Sequence, residues 1–180
     1  MDKMVHEQCR QKTALDGVFI VAEYSKFIEN YIGDIKYEFY FDMITDLVKV
    51  MIKSLSKNFQ FKQKLKRSIL TFVPLYPSRE RWRGFNQSEK IATLLSRYFN
   101  IPCRKLLTKR KNTKHQVGLA RKERLQNVHN VFEVVKKESL CTSVIIIDDV
   151  MTTGGTLEEC AKVLKKSGVK EVYGLVFARG

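Results

Sequence analysis

Proline is scarce in this chain: Pro74, Pro77 and Pro102 are the only three among 180 residues. No low-complexity linker and no internal repeat interrupts the sequence, so neither a tethered array nor a solenoid is expected. The four cysteines, Cys9, Cys103, Cys141 and Cys160, are far apart and form no CxxC pair. That spacing suits neither a disulfide framework nor a complete zinc ribbon. Reduced, structural thiols are expected, and His6 with Cys9 supplies only half of a metal site. No apolar run is long enough to span a bilayer. The opening MDKMVHEQCRQK lacks the apolar stretch of a signal peptide, which places the expected compartment in the cytoplasm.

Acidic residues are also scarce, but only in one region. Residues 61–125 hold eighteen basic side chains against Glu80, Glu89 and Glu123, a surplus of fifteen where the whole chain carries +14. The flanking thirds are close to neutral. Such a field attracts polyanions: nucleic acid, nucleotide or pyrophosphate. The hydrophobic fraction of 44% is ordinary for a folded domain, and 180 residues suffice for one domain with a small extension.

Periodicity supplies the elements. Asp16–Tyr24 is rich in Val, Ile and Phe and reads as a strand. Phe41–Leu55 places Ile44, Leu47, Val48, Met51, Ile52 and Leu55 at helical spacing. Ser68–Val73 is a short buried strand, followed by an arginine- and aromatic-rich loop over Pro74–Phe85. Asn86 with Glu89 reads as a capping-box-like start of a helix through Tyr98. Short strands are expected over Lys105–Lys109 and Val131–Val135, with a basic loop over Asn112–Arg124 between them. Val144–Ile147 is a β-branched run suited to a strand buried on both faces. A helix over Thr156–Ser167, closed by Gly168, and a strand over Val172–Ala178 complete a βαβ unit. The expected fold is α/β: a mostly parallel sheet flanked by helices.

The chemistry concentrates in Val144–Thr156, VIIIDDVMTTGGT. A strand ends in two carboxylates, Asp148 and Asp149; a loop of small and hydroxyl residues follows, and then a helix begins. A helix N-terminus offers backbone N–H groups and the positive end of its dipole. Gly154 and Gly155 let the backbone wrap an anion, and Thr152, Thr153 and Thr156 can add hydroxyl donors. Acids pointing at a phosphate would repel it, but they can accept hydrogen bonds from two neighbouring sugar hydroxyls. Ribose 5-phosphate has both needs in one molecule. The same string could fold as a strand, a polar turn and a capped helix without any ligand; the order of the parts favours the ligand. It is not a Walker A loop, since GxxxxGK[ST] is absent.

This stretch resembles the diphosphoribosyl-binding motif of type I phosphoribosyltransferases. The resemblance implies that fold, with ribose hydroxyls on Asp148 and Asp149 and the 5-phosphate on Thr152, Thr153, Gly154, Gly155 and Thr156. It also implies magnesium, bound together with phosphoribosyl pyrophosphate rather than in a protein metal site. A second block, RGFNQSE over Arg83–Glu89, precedes HQVGLARKERLQNV over His115–Val128. With TKHQ over Thr113–Gln116, Leu119, Arg124, and Asn127–Val128 before Phe132, these resemble the ComF family of competence-associated phosphoribosyltransferase-like proteins. Residues 15–180 are expected to form that domain, with 1–14 as a remnant before it. Longer family members carry an N-terminal four-cysteine zinc module. Only His6 and Cys9 stand in that place here, so the module is expected to be lost or cut off.

The remaining candidates follow from position and charge. In the resembled fold the loop holding Arg79, Arg81 and Arg83 faces pyrophosphate, and guanidinium forks suit phosphate oxygens. Trp82 is interleaved with them, as suits stacking on unpaired bases. Lys109, Arg110, Lys111, Lys114, Arg121 and Arg124 lie where the fold has a mobile flap; they could close over pyrophosphate or follow a nucleic-acid backbone. His115 reads as a surface residue of that loop. Three functions are expected to compete: a phosphoribosyl pyrophosphate- and single-stranded DNA-binding protein of DNA uptake, working with other competence proteins; an active phosphoribosyltransferase of nucleotide salvage or synthesis; and a ligand sensor without turnover.

Overall fold

The computed structural model describes residues 13–23, 25–37, 41–111, 130–135 and 142–180. Four parallel strands form the main sheet: β1 (Gly17–Glu23), β2 (Ser68–Phe72), β5 (Ser143–Met151) and β6 (Glu171–Arg179), in the order β1-β6-β5-β2. A second, antiparallel pair joins β3 (Leu107–Lys109) to β4 (Phe132–Val134). Among the described residues the helices are α1 (Lys26–Tyr37), α2 (Phe41–Leu55), α3 (Phe59–Leu65), α4 (Pro77–Arg83), α5 (Gln87–Phe99) and α6 (Gly155–Lys166).

The central strand explains the two-layer packing. Val144, Ile145, Ile146 and Ile147 are all fully buried, because successive side chains point to opposite faces and both are covered. Ile145 and Ile147 meet a core built with Met51, Leu55, Phe61, Ile91 and Leu95 from α2, α3 and α5. Val144 and Ile146 meet Leu157, Ala161 and Leu164 of α6, with Leu107 and Phe132 of the small pair. Each such side chain contributes about 1.5–3 kcal/mol through burial. β5, α6 and β6 form the expected βαβ unit. The architecture is the expected α/β one, a mostly parallel sheet flanked by helices.

Two expectations need revision. The segment after β2 is not a plain loop, because Pro77–Arg83 forms a short helix. Pro77 stands in its first turn, where a missing N–H costs nothing, and Gly84 closes it at φ 72. The strand also does not stop at the acids. β5 runs on to Met151, because β6 is equally long and pairs Asp148 with Val176 and Val150 with Ala178.

Candidate functional site

The loop after β5 is shaped by one backbone angle. Gly154 has φ 78 and is the N-cap of α6, with no side chain capping the helix. Left-handed geometry at that residue turns the chain from strand into helix, and α6 begins with Glu158 N–H donating to Gly154 O at 2.9 Å. The first-turn amides of α6 have no partner inside the helix, and they begin four residues after the end of β5. Gly155 N–H contacts Thr153 Oγ1 at 3.4 Å, and Thr152 is exposed. The acids near the start of α6 are directed elsewhere: Glu158 Oε1 accepts from Ala14 N–H and buried Glu159 Oε1 from Asn130 N–H, each at 2.8 Å.

The acid pair is held by the start of α5. Asn86 caps that helix by accepting from Ser88 N–H at 3.1 Å, and its amide donates to Val73 O at 3.0 Å. This fixes the helix start beside the ends of β2 and β5. Ser88 Oγ–H then donates to Asp148 Oδ1 at 2.9 Å, and Gln87 Nε2–H donates to Asp149 Oδ2 at 3.2 Å. Behind Gln87, Arg83 Nη1–H donates to Gln87 Oε1 at 3.2 Å. The amide orientation is dictated by its neighbours, since a guanidinium only donates and a carboxylate only accepts. Backbone N–H groups complete the pattern, from Asp149 to Asp148 Oδ1 at 3.0 Å and from Val150 to Asp149 Oδ1 at 2.7 Å. Arg83, Gln87, Ser88 and Asp149 are all buried, whereas Asp148 is half-buried.

The basic candidates separate. Lys109 is half-buried beside the acids. Burial and then the Arg79 charge push its ammonium down from the ordinary lysine range, against opposing pulls from Cys160 and Asp148. Lys109 is therefore coupled to both Arg79 and Asp148. The Lys109 ammonium also stands 5.7 Å from the Phe132 ring centre. Arg81 and Trp82 are exposed, Trp82 at 63%. Arg110 pairs with Glu133, and Lys111 is exposed. Lys114, His115, Arg121 and Arg124 lie outside the described residues. Cys160 is fully buried and its thiol is pushed well up, chiefly by that burial.

The structure thus brings Asp148, Asp149 and the 152–156 loop together. It adds Gln87 and Ser88, which the sequence reading left without a role. Their signal was present in RGFNQSE, but the partners lie 62 and 60 residues away. Among the described residues no group of three or more His, Cys, Asp or Glu side chains is placed to hold a metal.

The Phosphoribosyl transferase domain family matches residues 86–180. The chain is 36% identical over 177 residues to competence protein F of Haemophilus influenzae, which covers 94% of this chain and 76% of that protein. It is 35% identical over 103 residues to the DNA utilization protein YhgH of Escherichia coli O6:H1, covering 56% of this chain and 44% of the relative. Competence protein ComFC of Bacillus subtilis is 33% identical over 103 residues, 57% of this chain and 40% of its own. The matched segment spans less than half the length of the last two relatives.

Proposed function

Because the chain belongs to the ComF family of phosphoribosyltransferase-domain proteins, we propose that it binds phosphoribosyl pyrophosphate at the β5–α6 junction and single-stranded DNA on its basic surface, in support of DNA uptake. One observation carries the pocket. Two ordered carboxylates on a central strand are followed within five residues by a glycine-capped helix start, where only the long 3.4 Å bond to Thr153 Oγ1 meets the amide of Gly155. The amides and threonine hydroxyls of residues 152–156 suit a 5-phosphate. Asp148 and Asp149 suit the neighbouring ribose hydroxyls. Lys109 puts positive charge near Asp148, and Arg79 adds positive charge near Lys109, which suits a diphosphate on the sugar.

The donor set fits a magnesium ion that arrives with its ligand. Magnesium keeps water and phosphate oxygens and takes only one or two protein carboxylates. The oxygens of phosphoribosyl pyrophosphate itself would hold it, and a dedicated protein cage is not needed. When bound, magnesium neutralises charge on the diphosphate. The domain is proposed to run over residues 15–180. In support, Asp16 N–H bonds to Val172 O at 2.8 Å and ties the start of β1 into the sheet.

The DNA part rests on the fifteen-charge surplus of residues 61–125, the exposed Arg81–Trp82 pair and the names of the relatives. Electrostatic binding of this kind weakens steeply with salt. Two assays test the proposal. In calorimetry with magnesium, Asp148→Asn with Asp149→Asn should weaken phosphoribosyl pyrophosphate binding while leaving the fold intact; unchanged affinity would remove the pocket. In gel shifts, an oligothymidine should bind with a negative salt slope, weakened by neutralising Lys109, Arg110 and Lys111 together. Pyrophosphate release with one nucleobase would instead favour an active transferase.

A further inference from the structure

The buried run Arg83–Gln87–Asp149 does more than cap a helix. Arg83 ends α4 and Gln87 begins α5, and Gly84 at φ 72 turns the chain between them. The turn brings a guanidinium and a primary amide into register beside a carboxylate. Gln87 uses both ends of its amide at once, accepting from Arg83 and donating to Asp149, each at 3.2 Å. Ser88, the next residue, donates to Asp148 at 2.9 Å. One helical turn therefore sets the direction of both acids.

We propose that Arg83 and Gln87 are positioning residues for the ribose-binding acid pair, a role that rests on the reading of Asp149 as a hydroxyl acceptor. The chemistry explains why an amide stands there. A guanidinium in place of Gln87 would grip the carboxylate with two parallel N–H groups and offset its charge. An amide engages one oxygen through one N–H, and a carboxylate offers about four acceptor directions. Asp149 is thereby oriented, and a neutral amide adds no charge of its own against the carboxylate. Arg83 anchors the amide from behind, and burial of the chain strengthens each link. This moves Arg83 from the pyrophosphate role expected of it to a supporting one, and leaves Arg79 as the arginine of α4 whose charge reaches Lys109.

The role predicts which part of a ligand feels a mutation. Gln87→Leu should weaken binding of ribose 5-phosphate by about 2- to 12-fold, the range for one hydrogen bond. Inorganic phosphate, which needs only the loop, should bind within about twofold of the wild type. Arg83→Met attacks the same relay from its other end and should give the same selective loss, so the test stands if Gln87→Leu folds poorly. In an Asp149→Asn background, Gln87→Leu should add nothing further. Equal losses for both ligands, or no loss for ribose 5-phosphate, would overturn the positioning role. If Asp149→Asn itself leaves ribose 5-phosphate binding unchanged, the ribose reading falls instead, which separates the two failures.

Discussion

Replacing Gly154 with alanine isolates the backbone angle that shapes the phosphate loop. At φ 78 an L side chain is strained by about 1–2 kcal/mol. Alanine also narrows the unfolded ensemble, which offsets about 0.4–1 kcal/mol. Direct crowding adds little, because the nearest atoms to a new Cβ would be Met151 Sδ at 3.6 Å and Cγ at 3.9 Å. The net expectation is a loss of about 1 kcal/mol, or about 2–4 °C in Tm for a chain of this size. Urea denaturation at fixed pH would measure it, with an unchanged slope showing that only stability moved. Gly154→Asn should lose less, since asparagine tolerates the left-handed region. Gly33→Ala is the control: it lies inside α1, a new Cβ there would meet no heavy atom within 4 Å beyond its chain neighbours and its own helix backbone, and it should stabilise the protein by about 0.4–1 kcal/mol. If Gly154→Ala stabilised the protein as Gly33→Ala does, the left-handed cap and the cradle built on it would be refuted.

Three further outcomes are expected. Asn86→Ala removes both the cap of α5 and the bond to Val73 O, and should cost about 1–2 kcal/mol in the same denaturation assay. Burial pushes the Cys103 thiol up to about 11; the unfolded thiol ionises first, so Cys103's stabilising contribution, complete below about pH 9, should be lost as pH rises towards 11 and be missing from Cys103→Ala. Trp82 is the sole tryptophan and is exposed, so its fluorescence should be quenched by an oligothymidine but not by ribose 5-phosphate.

Much of the fold was legible because its signals are local. The isoleucine run marks β5, Asn86 marks the start of α5, and Gly168, at φ 105, follows the end of α6. What escaped was decided at a distance. The sequence gives no sign that β5 continues through two aspartates, because the bonds that keep it extended come from β6. The seven residues of α4 are too few to show a period, although Pro77 and Gly84 were cues to its ends. α1 passed unread, although Phe27, Ile28, Tyr31, Ile32 and Ile35 stand at helical spacing. At the site, the acids and the glycine loop could be read as a contiguous string. Gln87 and Ser88 could not be joined to them, because a contact across some sixty residues exists only once α5 has packed on β5.

The strand order bears on how the protein is made. β6 lies between β1 and β5, yet it is the last of the four strands to leave the ribosome. Until then β1 and β5 each present an open edge, and Gly17 must wait for Tyr173 before its ladder can form. Pairings of such long sequence separation slow folding and leave the nascent chain open to aggregation. A stop codon just before Glu171 would therefore do more than shorten the sheet: it would leave its two halves with no strand between them, and the ligand loop with no frame behind it.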